Sequence, residues 1–569
     1  MRILKTGFFM LFLVLGTFPS AIAQTTSKTT FGGLKKMGTT SISSSSRASV
    51  SSISKSRVQP FPNLASARLT SVSKAMVSSA KTAPPLSVPT PKPNSVKNGG
   101  NSVGFAGLTT VDTANTNGFV VTPPDQGLCV GNGFVLEMIN LSMAAYSKTG
   151  TQLTTPTSIY SFFGADSSLD FLSDPRCYYD SRTQRWFASV TNVIDAVTNR
   201  SNLYLAVSQT SDPTQAFTVY SIDTTDDGLD GTPSDPGCPC FGDQPLLGAD
   251  AFGIYLSTNE FGLFTNAFNG AQIYAISKAD LVAGTPSTLV HIEGGPLAEG
   301  ISYSVQPASS PDLSGEPSSG VEYFLSALDF FGTLDNRVAV WAMTNTSSLS
   351  QASPNVSLTN VVINSEVYGQ PPLATQEVGP YPLGQSLGAP EETLNTDDDR
   401  MQQVVYASGH LWGSLTTIVS DGTNQNAGIA YFYVKPQVNG GTLKAKVQGQ
   451  NYVSVTGASV MYPSVAATAD GNAAIAYSLS GTSYFPSAAF SSVNPSHAAS
   501  VNIVAAGQAP QDDFSGYAAF GGAGFARWGD YSWAVADGNS IWLAAEYIPG
   551  GIDSTVYFTN FGTFIYELN

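Results

Sequence analysis

Between residues 101 and 569 one short pattern returns seven times, and a chain that repeats itself at this spacing has to stack its repeats to bury them. Each repeat has a polar or Pro-containing start, a short apolar strand, a turn at Gly, Asp or Asn, and a second strand carrying an aromatic-apolar pair. The first reads Pro124-Asp125-Gln126-Gly127-Leu128-Cys129-Val130, turns at Gly131-Asn132-Gly133 and runs from Phe134 to Asn140. Asp174-Pro175-Arg176-Cys177-Tyr178-Tyr179 opens the second, which turns at Asp180-Ser181-Arg182 into Trp186 to Asn192. The third passes from Asp243-Gln244-Pro245 through Gly248-Ala249-Asp250 to Ile254–Glu260, and a weaker fourth joins Ser304-Val305-Gln306-Pro307 to Val321–Asp329. The fifth runs from Asp399-Arg400 through Val404-Val405-Tyr406 to Leu411–Thr417. Tyr462-Pro463-Ser464 with Ala473–Leu479, and Asp530-Tyr531-Ser532 with Ile541–Tyr547, complete the set.

The runs are too short for helices, rich in aromatic and β-branched residues, and bounded by Gly, Asn, Asp and Pro. That is an all-β signature. Residues 101–569 shared among seven units give about 67 residues each, ample for a four-stranded sheet and its loops. The expected fold is therefore a β-propeller of about seven four-stranded blades, with six to eight compatible with the spacing. Two stacked β-sandwiches would account for the strands but not for their recurring order. A strand from Phe558 to Asn569 is expected to close the ring against Val103-Gly104-Phe105.

The remaining residues divide at two composition shifts. Arg2 and Lys5, an apolar run from Phe8 to Leu15, and Ala21-Ile22-Ala23 make residues 1–23 a signal peptide. The expected location is secreted, extracellular or cell-surface associated, in a bacterium, with no transmembrane segment. Residues 24–100 are rich in Ser, Thr, Pro and Lys and nearly free of aromatics, which predicts a disordered basic linker ahead of a propeller domain over 101–569. This arm carries eleven Lys or Arg and no acid, and either spaces the domain from its surroundings or docks on an anionic surface, that of a cell or of the protein's own body. Residues 101–569 hold all 41 acids against 12 bases, a formal charge of −29, which argues against nucleic acid as a partner. Zinc-ligand spacing is absent, since His291, His410 and His497 are isolated. Among the four cysteines, Cys238-Pro239-Cys240 reads as too tight to close on itself, so Cys129 is expected to pair with Cys177, or either of them with the Cys238/Cys240 loop.

In a propeller the first strand of each blade starts, and the second ends, at one mouth of the central channel. Asp125, Asp174, Asp243, Asp399, Arg400, Trp528 and Asp530 from the starts, and Asn140, Asn192, Glu260, Asp329 and Glu546 from the returns, should gather there. Of these, Asp125, Asp243, Asp329, Arg400 and Trp528 are the expected ligand-binding set. An Asp at a strand start also has a structural use, capping the loop by accepting from backbone N–H groups. For calcium, the oxygen-rich loop of Asp223, Asp226, Asp227 and Asp230 has suitable spacing, as does Asp397-Asp398-Asp399, though neither matches a full EF-hand.

Asp174-Pro175-Arg176-Cys177-Tyr178-Tyr179-Asp180 with Arg185-Trp186-Phe187, Tyr462-Pro463-Ser464 with Asp470-Gly471-Asn472, and Arg527-Trp528-Gly529-Asp530-Tyr531-Ser532 resemble motifs of a group of uncharacterised secreted bacterial proteins with sialidase-like or related propeller folds. The resemblance covers roughly residues 105–569 and implies fold more than activity. A true sialidase would show repeated Ser-x-Asp-x-Gly-x-Thr-Trp boxes, which are absent, and its arginine triad could be drawn only loosely from Arg176, Arg337, Arg400 and Arg527. Acid-base work on polysaccharide would need two carboxylates across a cleft, for which Glu260, Glu546, Asp174 and Asp530 are the candidates. With no serine-nucleophile, Rossmann or P-loop pattern present, the sequence favours an extracellular module binding a glycan or cell-surface protein over a carbohydrate-active enzyme.

Overall fold

The computed structural model describes residues 24–25, 29–42, 85–98, 103–286, 288–294, 296–297, 300–310, 319–328 and 334–569. The predicted signal peptide and Asp329 lie outside these residues. Among them the repeats fold as antiparallel meanders of four strands, some of them extended or joined into larger sheets. The first comprises Gly127–Gly131, Phe134–Ile139, Ser142–Ser147 and Thr157–Ser158; the second Asp170–Asp180, Arg185–Asp195, Arg200–Ser208 and Phe217–Asp223. Cys240–Ala249, Gly253–Gly262, Phe268–Ser277 and Leu289–Glu293 form the third, and Gln306–Ser309, Val321–Ser326, Asp335–Thr344 and Ser357–Tyr368 the fourth. The fifth is Val404–Ala407, His410–Ser420, Gln425–Asn439 and Thr442–Val453; the sixth Ala458–Ala467, Ala473–Gly481, Tyr484–Asn494 and Val501–Ala505. Trp533–Asp537, Ser540–Tyr547 and Gly562–Leu568 make the last, with Val103–Thr109 as its fourth strand.

The first strands of successive sheets touch in chain order, and that of the last lies against that of the first. The fourth and fifth sheets are continuous through the parallel pairing of Ala308 and Ser309 with Val404 and Val405. This is the radial arrangement of a β-propeller, and Ile565 pairs with Phe105 and Tyr566 with Gly104 where the sequence placed the closing strand.

The aromatic-apolar pair of each repeat is explained by where its two side chains go. Neighbouring strand residues point to opposite faces. Trp186 packs toward the first sheet with Leu136 and Met138, whereas Phe187 packs toward the third with Leu247 and Leu256. Trp412 and Leu411, Trp542 and Leu543, and Phe324 and Leu325 divide in the same way between the clusters on either side of their sheets. Each sheet is therefore buried on both faces, and each fully buried large apolar side chain contributes about 1.5–3 kcal/mol.

Described stretches of the N-terminal arm pair with the sheets. Lys35–Thr40 adds a fifth strand to the outer edge of the second sheet, Thr29–Gly32 to that of the third, and Val96–Asn98 to that of the sixth. Composition missed this because edge pairing uses backbone N–H and C=O groups, which need no apolar side chains. Among the described residues no helix is long and apolar enough to cross a membrane.

Cys129 and Cys177, on the first strands of the first two sheets, are joined across a Cα separation of 5.4 Å. Against expectation, Cys238 and Cys240 are bonded to each other, because the turn at Pro239 brings their Cα atoms to 4.4 Å, within the ordinary disulfide range. The Cys129–Cys177 bond closes a segment spanning 48 residues across an interface between sheets. Replacing both cysteines by serine is expected to lower stability by about 2–4 kcal/mol, read as an earlier urea midpoint in the oxidised protein. Reducing agent should move the parent's midpoint the same way and leave the component that depends on this bond absent from the variant.

Candidate functional site

At the axis, backbone geometry repeats as strictly as the apolar pairs do. Asp174, Gln244 and Tyr462 take positive φ values of 58°, 48° and 57° at bulges in the first strands of the second, third and sixth sheets. Asp125 and Ser304 do so just ahead of their strands, at 45° and 42°. Residues other than glycine seldom hold this conformation, so something must fix it. The Asp174 N–H donates to Asn140 Oδ1 at 3.0 Å, that of Ser304 to Asn259 Oδ1 at 2.8 Å, and that of Tyr462 to Thr416 Oγ1 at 3.0 Å. Every acceptor stands on or just after the second strand of the preceding sheet, so the first, third and fifth sheets latch the second, fourth and sixth.

This geometry draws side chains from different sheets together. Carboxylate oxygens of Asp125, Asp174 and Asp530 lie within 4.8 Å of one another. Asn140 Nδ2 donates to Asp125 Oδ2 at 2.6 Å, and the Asp530 N–H donates to Asp125 Oδ1 at 2.9 Å. Burial, and then the Asp530 charge, raises both Asp125 and Asp174 above the ordinary carboxylate range. Burial and the Asp174 charge push Asp243 up to about 7, against the pull of Arg400.

Three arginines hold this neck. Arg176 is buried, donates from Nε to the Pro245 carbonyl at 2.8 Å, and lies 3.2 Å over the Tyr531 ring. Arg527 Nη2 pairs with Asp530 at 3.0 Å. Arg400 treats its two neighbours differently: Nε and Nη2 grip both oxygens of Asp398 at 2.7 and 2.8 Å, while Asp397 is met at 3.0 Å. Burial would raise Asp398, yet the Arg400 charge and hydrogen bonds hold it low; Asp397, less firmly held, is pushed by burial up to about 8. Arg400 Nη1 also reaches Gln244 Oε1 at 2.5 Å, tying the third sheet to the segment before the fifth.

Of the residues singled out from sequence, Asp125, Asp174, Asp243, Asp530 and Arg400 come together. Glu546 stands behind them, accepting the Gly529 N–H at 2.8 Å. Trp528, expected among the ligand-binding residues, is 1% exposed and packed among Met461, Tyr462, Ala526 and Ile548, because the segment after Gly524 folds over the sixth sheet. Glu260 lies away from the neck, bonded to the Asn269 amide at 2.6 Å. The calcium-spaced loop does not converge. Asp223, Asp227 and Asp230 gather on Arg200 at 2.6, 3.3 and 3.6 Å, and Asp226 turns away to Glu260. Asn192 bonds Asp170 and Tyr204, and Arg337 pairs with Asp335. Gln244, Asp397 and Asp398 are neck residues that the strand-start rule passed over. The recurring dipeptides Asp174-Pro175, Gln244-Pro245 and Tyr462-Pro463 mark the positive-φ positions and were the available signal.

No protein-family model and no curated protein matches the sequence. Solved structures that overlap it include the Hadza microbial sialidase Hz136, at 9% identity and a TM-score of 0.34, covering 76% of this chain and 75% of that one. A glycosyl hydrolase from Bacteroides ovatus overlaps at 11% identity and a TM-score of 0.25, covering 54% and 83%. The endo-arabinanase from Bacillus licheniformis does so at 14% and 0.25, covering 56% and 96%. Overlaps this loose carry neither residue roles nor activity to this chain.

The raised carboxyls set a sign for pH dependence. An Asp whose folded pKa stands near 7 is protonated in the folded chain and ionised in the unfolded one between about pH 4 and pH 7, so stability falls as pH rises through that window. Asp243→Asn should flatten that fall by up to about 1.4 kcal/mol per pH unit, seen as a melting temperature that declines less from about pH 5 to pH 7. An unchanged slope would show that Asp243 is ionised throughout.

Proposed function

We propose that the chain is a secreted, non-catalytic binding module, a seven-bladed propeller that presents its polar neck to an extracellular glycan or cell-surface protein. The observation that carries this reading is how the neck carboxylates are engaged. Asp125 accepts from the Asn140 amide and from the Asp530 N–H, and Asp530 is paired with Arg527, so these groups are held by protein partners in the manner of a fixed polar surface. Arg527 and Asp530, with side chains 15% and 22% exposed, are the members open to a ligand, and together they offer both donors and acceptors to sugar hydroxyls or a peptide.

One observation favours a second reading, a carbohydrate-active enzyme of hydrolase, sialidase-like or lyase type. Asp243, at about 7, has the acidity of a general acid and lies in the field of Asp174. Glycan arrays and cell-surface pull-downs with the full chain, run beside a turnover screen on sialosides and polysaccharides, separate the two readings. Binding without turnover is expected, and Arg527→Ala should weaken it by about tenfold, the effect of losing one charge-assisted hydrogen bond. Turnover that disappears in Asp243→Asn would establish the enzyme instead.

A further inference from the structure

The segment between the second and third sheets folds back on itself. The Gly228 N–H donates to the Pro233 carbonyl at 2.6 Å, that of Asp235 to the Asp226 carbonyl at 2.9 Å, and that of Cys240 to the Thr225 carbonyl at 2.8 Å. This clasp separates Asp226 from the Arg200 network that occupies its sequence neighbours. With φ at 46°, Asp226 meets Glu260, at the end of the second strand of the third sheet, and Asp235, and ligand oxygens of the three lie within 4.8 Å of one another.

A second observation is the lack of partners. Asp226 is 0% exposed, and neither of its oxygens receives a hydrogen bond from any N–H or hydroxyl group; Oε2 of Glu260, a residue 1% exposed, is in the same state. The principal charges acting on Asp226 and Glu260, beyond each other, are those of Asp235, Asp223 and Glu293, all negative. Buried carboxylates without cationic or donor partners are costly unless they share protons or bind an ion. Asp235 is half-buried and flanked by the exposed Pro236 and Gly237, which gives an ion a short route from solvent.

We infer that Asp226, Asp235 and Glu260 form a binding site for a hard divalent cation of the calcium type. All donors are oxygens, which selects calcium or magnesium over thiophilic metals, and a site built on a loop suits the adaptable coordination of calcium better than the rigid octahedron of magnesium.

The test is calorimetric and thermal titration of the chelator-stripped full chain with calcium chloride. One calcium per chain at this site should raise the melting temperature beyond the shift given by sodium chloride of matched ionic strength, and magnesium should do less. Asp226→Asn and Glu260→Gln should each weaken calcium binding by about tenfold or more, while the calcium-free melting temperature stays level or rises because an unpartnered buried carboxylate has gone. That opposite sign separates a lost ligand from a damaged fold. Should a variant fail to fold, terbium decides on the parent protein: its luminescence should be sensitised by Tyr274, which lies in the field of both Asp226 and Glu260, quenched by calcium, and reduced in Tyr274→Phe. Equal shifts with calcium and sodium, calcium binding that survives both substitutions, or terbium emission indifferent to Tyr274 would each overturn the site. So would loss of calcium binding in Asp530→Asn alone, which would put the ion at the neck.

Discussion

Everything in this architecture depends on the fact that each sheet has two apolar faces and no way to bury both alone. A strand that carries Trp186 on one side and Phe187 on the other needs a neighbour on each side. A row of such sheets would always leave two faces exposed at its ends. Closing the row into a ring removes the ends, and the packing of Leu128, Val130 and Val135 with Trp533 and Trp542 supplies the interface that does so. Polar latches such as Asn140 to Asp174 then fix the register of neighbours already held together by apolar burial.

Ring closure also explains the electrostatics of the neck. First strands radiating from a common axis must begin close together, so whatever side chains stand at their starts are concentrated there. In this chain they are mostly aspartates, and protein has displaced the water that would screen them. The same convergence that makes the site makes its groups hard to ionise, and Arg176, Arg400 and Arg527 offset only part of that crowding.

What could be read from sequence was whatever depends on local pattern. The alternation around Trp186, Trp412 and Trp542, the turns after Gly131 and Asp180, and the closing strand near Phe105 all follow from period-two burial and turn chemistry, and the structure has them. The convergence of Asp125, Asp174, Asp243 and Asp530 followed from topology alone. Trp528 was misplaced because the same rule says nothing of where a loop folds after it leaves the strand, and Glu260 because its strand neighbour Asn259 is the residue that reaches Ser304 while Glu260 bonds Asn269. Asp226 was grouped with Asp223 and Asp227 on spacing, but a positive φ reverses its direction, and one-dimensional spacing cannot register that. The edge strands of the arm were invisible for a different reason: backbone pairing leaves no mark on composition.

The last sheet takes its fourth strand from Val103–Thr109, whose partners extend to Glu567. These residues are made early and needed last. A chain synthesised from its N-terminus must therefore hold this strand idle until the final strand arrives some 460 residues later. The earlier sheets can assemble in the order of their synthesis, each on the one before, but the last joins two segments far apart in the sequence. The entropic cost of closing a loop grows with its length, and this last step closes the longest loop among the described pairings. Until it is taken, the molecule is an open arc with apolar faces at both ends, and it is in that interval that neighbouring copies compete with the chain's own N-terminal strand.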